Sequence, residues 1–595
     1  MRPSPRKVLL ILLALLAGAM AGTLRGQDKP EIMPLRDVKP GMHGVAYTIF
    51  TGDKIESMDV EIIGVLPNAL GPKTDIILAQ LKGEKVEHSG VVAGMSGSPV
   101  YIDGKLVGAI SLKLGEFTKE AIAGITPIEE MLEAGQTPAP GTTVGKTVAA
   151  NALPQQIALP TESASRAGLG AGNILVPIET PLIFSGVLPE TIARFSEQLT
   201  GFGMSAMPGG TAPASPDDIK IQPGDMVGMS LVRGDLNLAA GCSVTAVIGD
   251  RVFVCGHPLF AAGGVSMPMV RGHVLLTLNS EQASTKIMTT GGDIGTVTQD
   301  RLTAVMGRLG APPTMIPMDL ELTTPAQVKN FHFDLMQDPR LTPVLVGLVT
   351  YNGLVANTAY GENTTLQMTA EVDIHGHTPL KLETFVAPTD QPIPGGIFIA
   401  TAMQADFTRI FTNPYEQPQI ERIAVKVTSL PERRWASIEG AWSEKSMAAP
   451  GETLNIKVLL RPYRGEPVIR EVPITIPAQA AHGSLRVLVS DGGILNRMNR
   501  GFAGASQLSG LEELIQLLNK ERRVDRLYVT LLQPSPTLLV EDKELPDVPP
   551  SALNVFDPHG SPGGVIMLGE SEIGQWSLEM NQVISGLQYL TIQVK

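Results

Sequence analysis

Gly94-Met95-Ser96-Gly97-Ser98-Pro99, running on through Val100-Tyr101-Ile102-Asp103-Gly104-Lys105-Leu106-Val107-Gly108-Ala109, is the stretch on which the reading of the chain turns. Asp103-Gly104 separates two apolar runs, Val100 to Ile102 and Lys105 to Leu112. Those two residue types suit the positive-φ positions of a tight two-residue turn, so the pattern predicts a β-hairpin. The hexapeptide ahead of it places a serine in a glycine-rich turn. Such a turn exposes the hydroxyl and frees neighbouring N–H groups to converge on a developing negative charge. The spacing differs from G-x-S-x-G because position 98 is Ser. Glycine and serine also abound in ordinary turns for conformational reasons, so the hexapeptide alone does not define a site.

Strand signals surround this stretch. Met58-Asp59-Val60-Glu61-Ile62 alternates apolar and polar residues, and Thr74 to Leu81 is a second apolar run. Thr126-Pro127-Ile128-Glu129 predicts a short helix with Thr126 as cap, Pro127 first in the helix and Glu129 completing a capping box. Residues 134–175 are rich in Ala, Gly, Pro, Thr and Ser and read as a connection. A helix is expected over Pro189 to Leu199 and an exposed loop over Ser205 to Asp218. Ser243 to Ile248 and Arg251 to Cys255 predict a second hairpin about Gly249-Asp250. In that register Val244 faces Cys255, and Cys242 lies diagonal to Cys255 at about 7–8 Å between Cα atoms. That is long for a disulfide, and two free buried thiols fit as well as a bridge. Further strands are expected over His273–Leu278, Thr296–Met306 and Met368–Ile374.

The bulk composition agrees with a mainly β protein: 62 Gly and 47 Pro in 595 residues, with 4% aromatics. A net charge of -13 without a clustered basic surface argues against nucleic acid as a partner. Arg2, Arg6 and Lys7 precede an apolar run from Leu9 to Ala21 that ends in Ala19-Met20-Ala21, the pattern of a cleaved export signal over residues 1–21. No later run reaches the ~20 apolar residues of a membrane span. The mature chain is therefore expected in the periplasm or outside the cell, without an integral span. No His/Cys cluster has zinc spacing, so neither metal nor other cofactor is expected.

A serine needs a base to act as a nucleophile at neutral pH. Of nine histidines, His257 is singled out by Val254-Cys255-Gly256-His257-Pro258, where Gly and Pro constrain a turn at a strand end. His88 lies among the charged residues Glu84, Lys85 and Glu87 and reads as solvated, and His43 follows Gly41-Met42 in a turn.

Residues 60–113 resemble the serine-bearing segment of the SpoIVB-type serine peptidases. The resemblance rests on Asp59-Val60-Glu61-Ile62, on Gly90-Val91-Val92-Ala93-Gly94-Met95-Ser96-Gly97-Ser98-Pro99, and on Gly104-Lys105-Leu106-Val107-Gly108-Ala109. A second match, Gly241-Cys242-Ser243-Val244-Thr245 followed by Gly256-His257, is similar to the family's histidine segment. The order is permuted, since here the serine segment comes first; catalytic groups are defined by spatial roles, so permutation is no objection. The resemblance implies Ser96 as nucleophile, His257 as base and the Gly94 and Ser96 N–H groups as oxyanion hole. The orienting acid is open among Glu84, Asp75 and Asp293, or a backbone carbonyl replaces it. It further implies a two-lobed β-barrel core resembling chymotrypsin-like folds, with a Ser-bearing half over 30–140 and a His-bearing half over 141–390. A β-sandwich over 400–490 and a small α/β region over 491–595 are expected to follow. The implied partner is a protein or peptide substrate in the cell envelope. An inactive peptidase-like binding or scaffold protein is the rival reading.

Overall fold

The computed structural model describes residues 30–115, 120–136, 157–158, 174–200, 204–211, 220–280, 284–356, 364–388, 393–500, 509–540, 543–545 and 565–595. The expected export signal and most of the 134–175 connection lie outside the described residues.

The alternating and apolar runs near the serine build one closed barrel. Its strands are β1 (His43–Ile49), β2 (Ile55–Gly71), β3 (Thr74–Lys82), β4 (Pro99–Ile102), β5 (Lys105–Leu114) and β6 (Ile122–Pro127). They follow one another in the order β4-β1-β2-β3-β6-β5, and pairing of β4 with β5 closes the ring. Asp103 and Gly104 have φ of 50° and 75°, the left-handed pair that the β4–β5 hairpin requires. Inward-facing Val60, Ile62, Ile77, Ala79, Val100 and Ile110 fill the barrel.

Five short strands follow: β7 (Ile157–Ala158), β8 (Ile174–Pro177), β9 (Thr180–Ser185), β10 (Met204–Pro208) and β11 (Gly210–Thr211). The exposed loop expected from Ser205 thus begins as strand. β10 pairs in parallel with β9, so a neighbouring edge overrides its turn-rich composition. Residues 212–218 of that expected loop lie outside the described residues.

A second ring comprises β12 (Met226–Gly234), β13 (Asn237–Ile248), β14 (Arg251–Val254), β15 (Gly263–Leu278), β16 (Thr285–Arg301) and β17 (Ala304–Leu309). The order β13-β14-β17-β16-β15-β12 is closed by pairing of β12 with β13. The β13–β14 hairpin departs from the expected register. Ile248, Val247 and Ala246 pair with Arg251, Val252 and Phe253, but a bulge then leaves Val244 opposite Val254. The extra residue, Thr245, shifts Cys242 by one position relative to Cys255.

The two barrels share an apolar seam. Leu106 and Ala109 of β5 and Ile128, Met131 and Ala134 of the helix Ile128–Ala134 cluster with Ala246, Phe253, Ala304 and Met306. Thr126 does not cap this helix; its hydroxyl is engaged elsewhere, and Glu129 accepts from the Leu35 N–H at 2.9 Å. The first compact unit ends at Pro313 and holds the first barrel and the second ring except the end of β12, which falls within Val232–Leu236. Residues 314–390, expected in the peptidase core, therefore fall in a second unit.

Within the second unit, strands Ile316–Thr323, Val328–Leu335, Thr365–Ile374, Leu380–Val386 and Ile420–Leu430 form one sheet. The alternating Ile423, Val425 and Val427, expected in a sandwich, pair with this sheet instead. The sandwich starts later. Leu454, Ile456 and Val458 of one sheet share a core with Val487, Val489, Leu527 and Val529 of another. The expected β-sandwich and α/β tail are thus one packed structure. Among the described residues no helix is long and apolar enough to cross a membrane.

The seam predicts a stability effect. Phe253 is fully buried, so Phe253→Ala is expected to lower unfolding free energy by about 3–5 kcal/mol, read from the urea midpoint.

Candidate active site

The hexapeptide is a turn in which three of the five backbone N–H groups are fixed, as is that of Ala93 before it. Ala93 N donates to Ser284 O at 2.9 Å, Met95 N to Val92 O at 3.0 Å, Gly97 N to Ile110 O at 2.8 Å and Ser98 N to Met95 O at 2.9 Å. Among the described residues the N–H groups of Gly94 and Ser96, the pair expected to hold an oxyanion, meet no acceptor. Both are held from the far side of their peptide planes. Lys286 N donates to the Ala93 carbonyl at 3.0 Å, which orients the Gly94 N–H. The Ser98 bond to the Met95 carbonyl does the same for the Ser96 N–H. Gly94 and Gly97 have φ of 91° and 93°, a region that favours glycine.

Strand β13 grips this turn. Ser243 N donates to Ser96 O at 2.8 Å, Ser243 Oγ to Gly94 O at 3.1 Å and Thr245 Oγ1 to Gly97 O at 2.7 Å. The approach is so close that a Cβ on Gly97 would lie 2.0 Å from Ser243 O and 2.6 Å from Cys255 N. The two segments that carry the family resemblance therefore touch, although about 150 residues separate them in sequence (146 for Ser96–Cys242).

The His257 turn is strained and tethered. Gly256 N donates to Val254 O at 2.8 Å across Cys255, whose φ of 67° makes this the rarer, positive-φ γ-turn. Three restraints hold it. Cys255 is bridged to Cys242 with Cα atoms 5.1 Å apart, which corrects the diagonal 7–8 Å expectation; the Thr245 bulge is the reason. Thr126 Oγ1 donates to Gly256 O at 2.6 Å. The fully buried Asp300 carboxylate accepts from the N–H groups of Leu259 and Phe260 at 2.7 Å and Ala262 at 3.2 Å.

The imidazole itself is 6% exposed. Its Nδ1 lies 2.8 Å from Pro258 O, so Nδ1 carries the proton and Nε2 keeps the lone pair of a base. Nε2 is buried and has no hydrogen-bond partner. Burial holds the imidazole below the usual histidine pKa, with the Pro258 carbonyl opposing. Ser96 is fully buried, and its hydroxyl contacts Cys242 Sγ at 3.7 Å with no bond to His257.

None of the three candidate acids bonds the imidazole. Asp75 accepts from Asn68 N at 2.7 Å on the β2–β3 hairpin, Glu84 opens an exposed short helix (Glu84–Ser89), and Asp293 is exposed on β16. The group at Nδ1 is the Pro258 carbonyl. Sequence reasoning missed Asp300, Thr126 and two further buried groups, Thr48 and Lys286. Ser98 Oγ donates to Thr48 Oγ1 at 3.0 Å and also contacts Ser243 Oγ at 3.4 Å; Lys286 Nζ donates to Thr48 Oγ1 at 2.7 Å. Nothing local in the sequence marks these residues, because each is brought in by barrel closure.

Two closed six-stranded barrels sharing an apolar seam define a mainly β, chymotrypsin-like core. Residues 18–132 match the family model of the SpoIVB peptidase S55, a match that spans the serine-bearing barrel. The match includes Ser96 and ends before His257. No curated protein and no solved structure matches the chain.

The bridge gives a test. Non-reducing peptide mapping is expected to recover Cys242 and Cys255 in one linked species. Replacing both by Ala is expected to lower stability by about 3 kcal/mol, the scale for a loop with a sequence separation of 13.

Proposed function

We propose that this chain is an exported serine endopeptidase of the SpoIVB type that cleaves a protein or peptide of the cell envelope, or itself, through an acyl-enzyme. Ser96 Oγ attacks the scissile carbonyl, and His257 Nε2 takes the hydroxyl proton and passes it to the leaving amine. The Gly94 and Ser96 N–H groups receive the oxyanion, and water releases the acyl group. The observation that carries this reading is the uncommitted N–H pair of Gly94 and Ser96, flanked by amides that are all engaged. The Pro258 carbonyl orients the imidazole in place of a carboxylate. The apolar run at the N-terminus supports export, and the resemblance supports a specific signalling cleavage in place of bulk digestion.

Ser96 is sealed in this arrangement and its hydroxyl makes no bond to His257, so the reading requires a rearrangement that admits substrate and brings Nε2 to hydrogen-bond distance of Oγ. An open cleft lined by Tyr47, Ile55, Tyr101 and Pro223 offers a place for a substrate side chain. The rival reading, an inactive relative that binds peptides, draws on the absent Ser96–His257 hydrogen bond.

A fluorophosphonate separates the two readings. The parent is expected to be labelled at Ser96, with Ser96→Ala abolishing labelling and His257→Ala slowing it by at least about a thousandfold. The double variant should be no worse than Ser96→Ala alone. Ser98 shares the turn and its hydroxyl is a buried hub, so in Ser98→Ala labelling at Ser96 is expected to persist at a reduced rate. A folded parent that never labels would establish the inactive reading.

A further inference from the structure

Lys286 is fully buried on β16, with its aliphatic stem against the serine turn. Its Cδ and Cβ lie 3.3 and 3.4 Å from where a Gly94 Cβ would stand. Among the described residues its amine meets no carboxylate, and Thr48 Oγ1 is its one hydrogen-bond partner. From that amine a line of buried hydroxyls runs under the turn, through Thr48, Ser98 and Ser243, and ends on the carbonyl of Gly94.

A lone buried lysine makes a fold less stable, and an apolar side chain of similar length would fill the same space. A residue that works against stability beside a reactive centre is better explained by what it does there. We propose that Lys286 is a positioning residue of this site, an amine in the floor of the serine turn that must be uncharged for Ser96 to react. The inference rests on the reading of Ser96 as the nucleophile.

An uncharged amine offers a lone pair, so Thr48 O–H can donate to it and Ser98 O–H can donate to Thr48. A charged amine only donates. Thr48 O–H must then turn toward Ser98 and Ser98 O–H toward Ser243, and an ammonium with one hydrogen bond and no counter-charge stands in a dry site, where the charge costs far more than the two unpaired N–H groups that an uncharged amine leaves as well. The turn relieves this only by moving toward water, which displaces the Gly94 N–H that Lys286 anchors through its own backbone. Burial, the sole cause, pushes the amine down to about 7. No ionisable group faces it from β1, β13, β16 or the turn; its polar neighbours there are Thr48, Ser98 and Ser243, and Pro181 adjoins Gly94.

The test uses the full chain, Lys286→Met and Lys286→Arg, with a fluorophosphonate as probe. Second-order labelling rates are measured from pH 5 to 9, together with melting temperatures. The 13Cε resonance of Lys286 is followed in parallel, assigned by its loss in Lys286→Met. The parent rate is expected to fall about tenfold from pH 8 to pH 6 with a midpoint near 7. In Lys286→Met that midpoint should vanish, leaving only the lower one at which His257 takes up a proton, with a melting temperature at pH 6 equal to or above the parent's. Lys286→Arg, permanently charged, should label at least tenfold more slowly at every pH; if it does not fold, Lys286→Met decides. A midpoint near 7 that survives Lys286→Met, or a Lys286 resonance that titrates near 10, would overturn the inference. A parent that never labels would sink the peptidase reading. The Lys286 resonance and the Gly94 amide then decide this inference separately: titration in step near pH 7 supports the coupling, and its absence overturns it.

Discussion

The architecture of the site depends on the bare Cα of Gly97. A side chain there would collide with the Ser243 carbonyl and the Cys255 amide. Because none is present, β13 lies directly on the serine turn and its hydroxyls take the carbonyls of Gly94 and Gly97. The same contact brings Cys255, and with it the start of the His257 turn, against the residue that follows Ser96. The serine and histidine barrels are thus joined at the point where chemistry is proposed, and the apolar seam around Phe253 supports that junction. Chain order is immaterial to such a contact, so a permuted succession of serine and histidine segments can build it.

The electrostatic character of the junction follows from its dryness. Burial lowers the pKa of both basic groups in it, His257 and Lys286, and among the described residues no carboxylate reaches either side chain. For each group the sign is that of a depressed cation: the uncharged form is favoured as pH rises. In the folded protein protonation of Lys286 is suppressed between about 7 and its ordinary pKa of 10.5, so its burial penalises stability most below about 7. The one buried carboxylate beside the His257 turn, Asp300, is turned toward three backbone N–H groups and shapes the loop after the histidine.

Much of this was legible in local chemistry. Asp103-Gly104 predicted the β4–β5 hairpin because two successive positive-φ positions admit few residues. The Gly94–Pro99 turn and the Gly256-His257 pair were found from residue type, and the structure brings their segments together. What stayed hidden depends on long-range pairing. The Thr245 bulge, invisible in an alternating run, moved Cys242 into bridging distance of Cys255. Thr126 read as a helix cap because its neighbours fit a capping box, yet its hydroxyl serves the Gly256 carbonyl 130 residues away. Ile423, Val425 and Val427 showed the right period for a strand, but period does not name a partner, and their sheet was assigned to the wrong neighbour. Lys286, in an unremarkable strand, had no local signal of burial.

The most direct measurement of the central claim is a crystal structure of the full chain after reaction with a fluorophosphonate. The account predicts a phosphorus–oxygen bond at Ser96 Oγ, a phosphoryl oxygen accepting from the N–H groups of Gly94 and Ser96, and His257 Nε2 brought to hydrogen-bond distance of the adduct. An adduct on Ser98 or any other residue, or a phosphoryl oxygen that leaves the Gly94 and Ser96 amides unengaged, would contradict it.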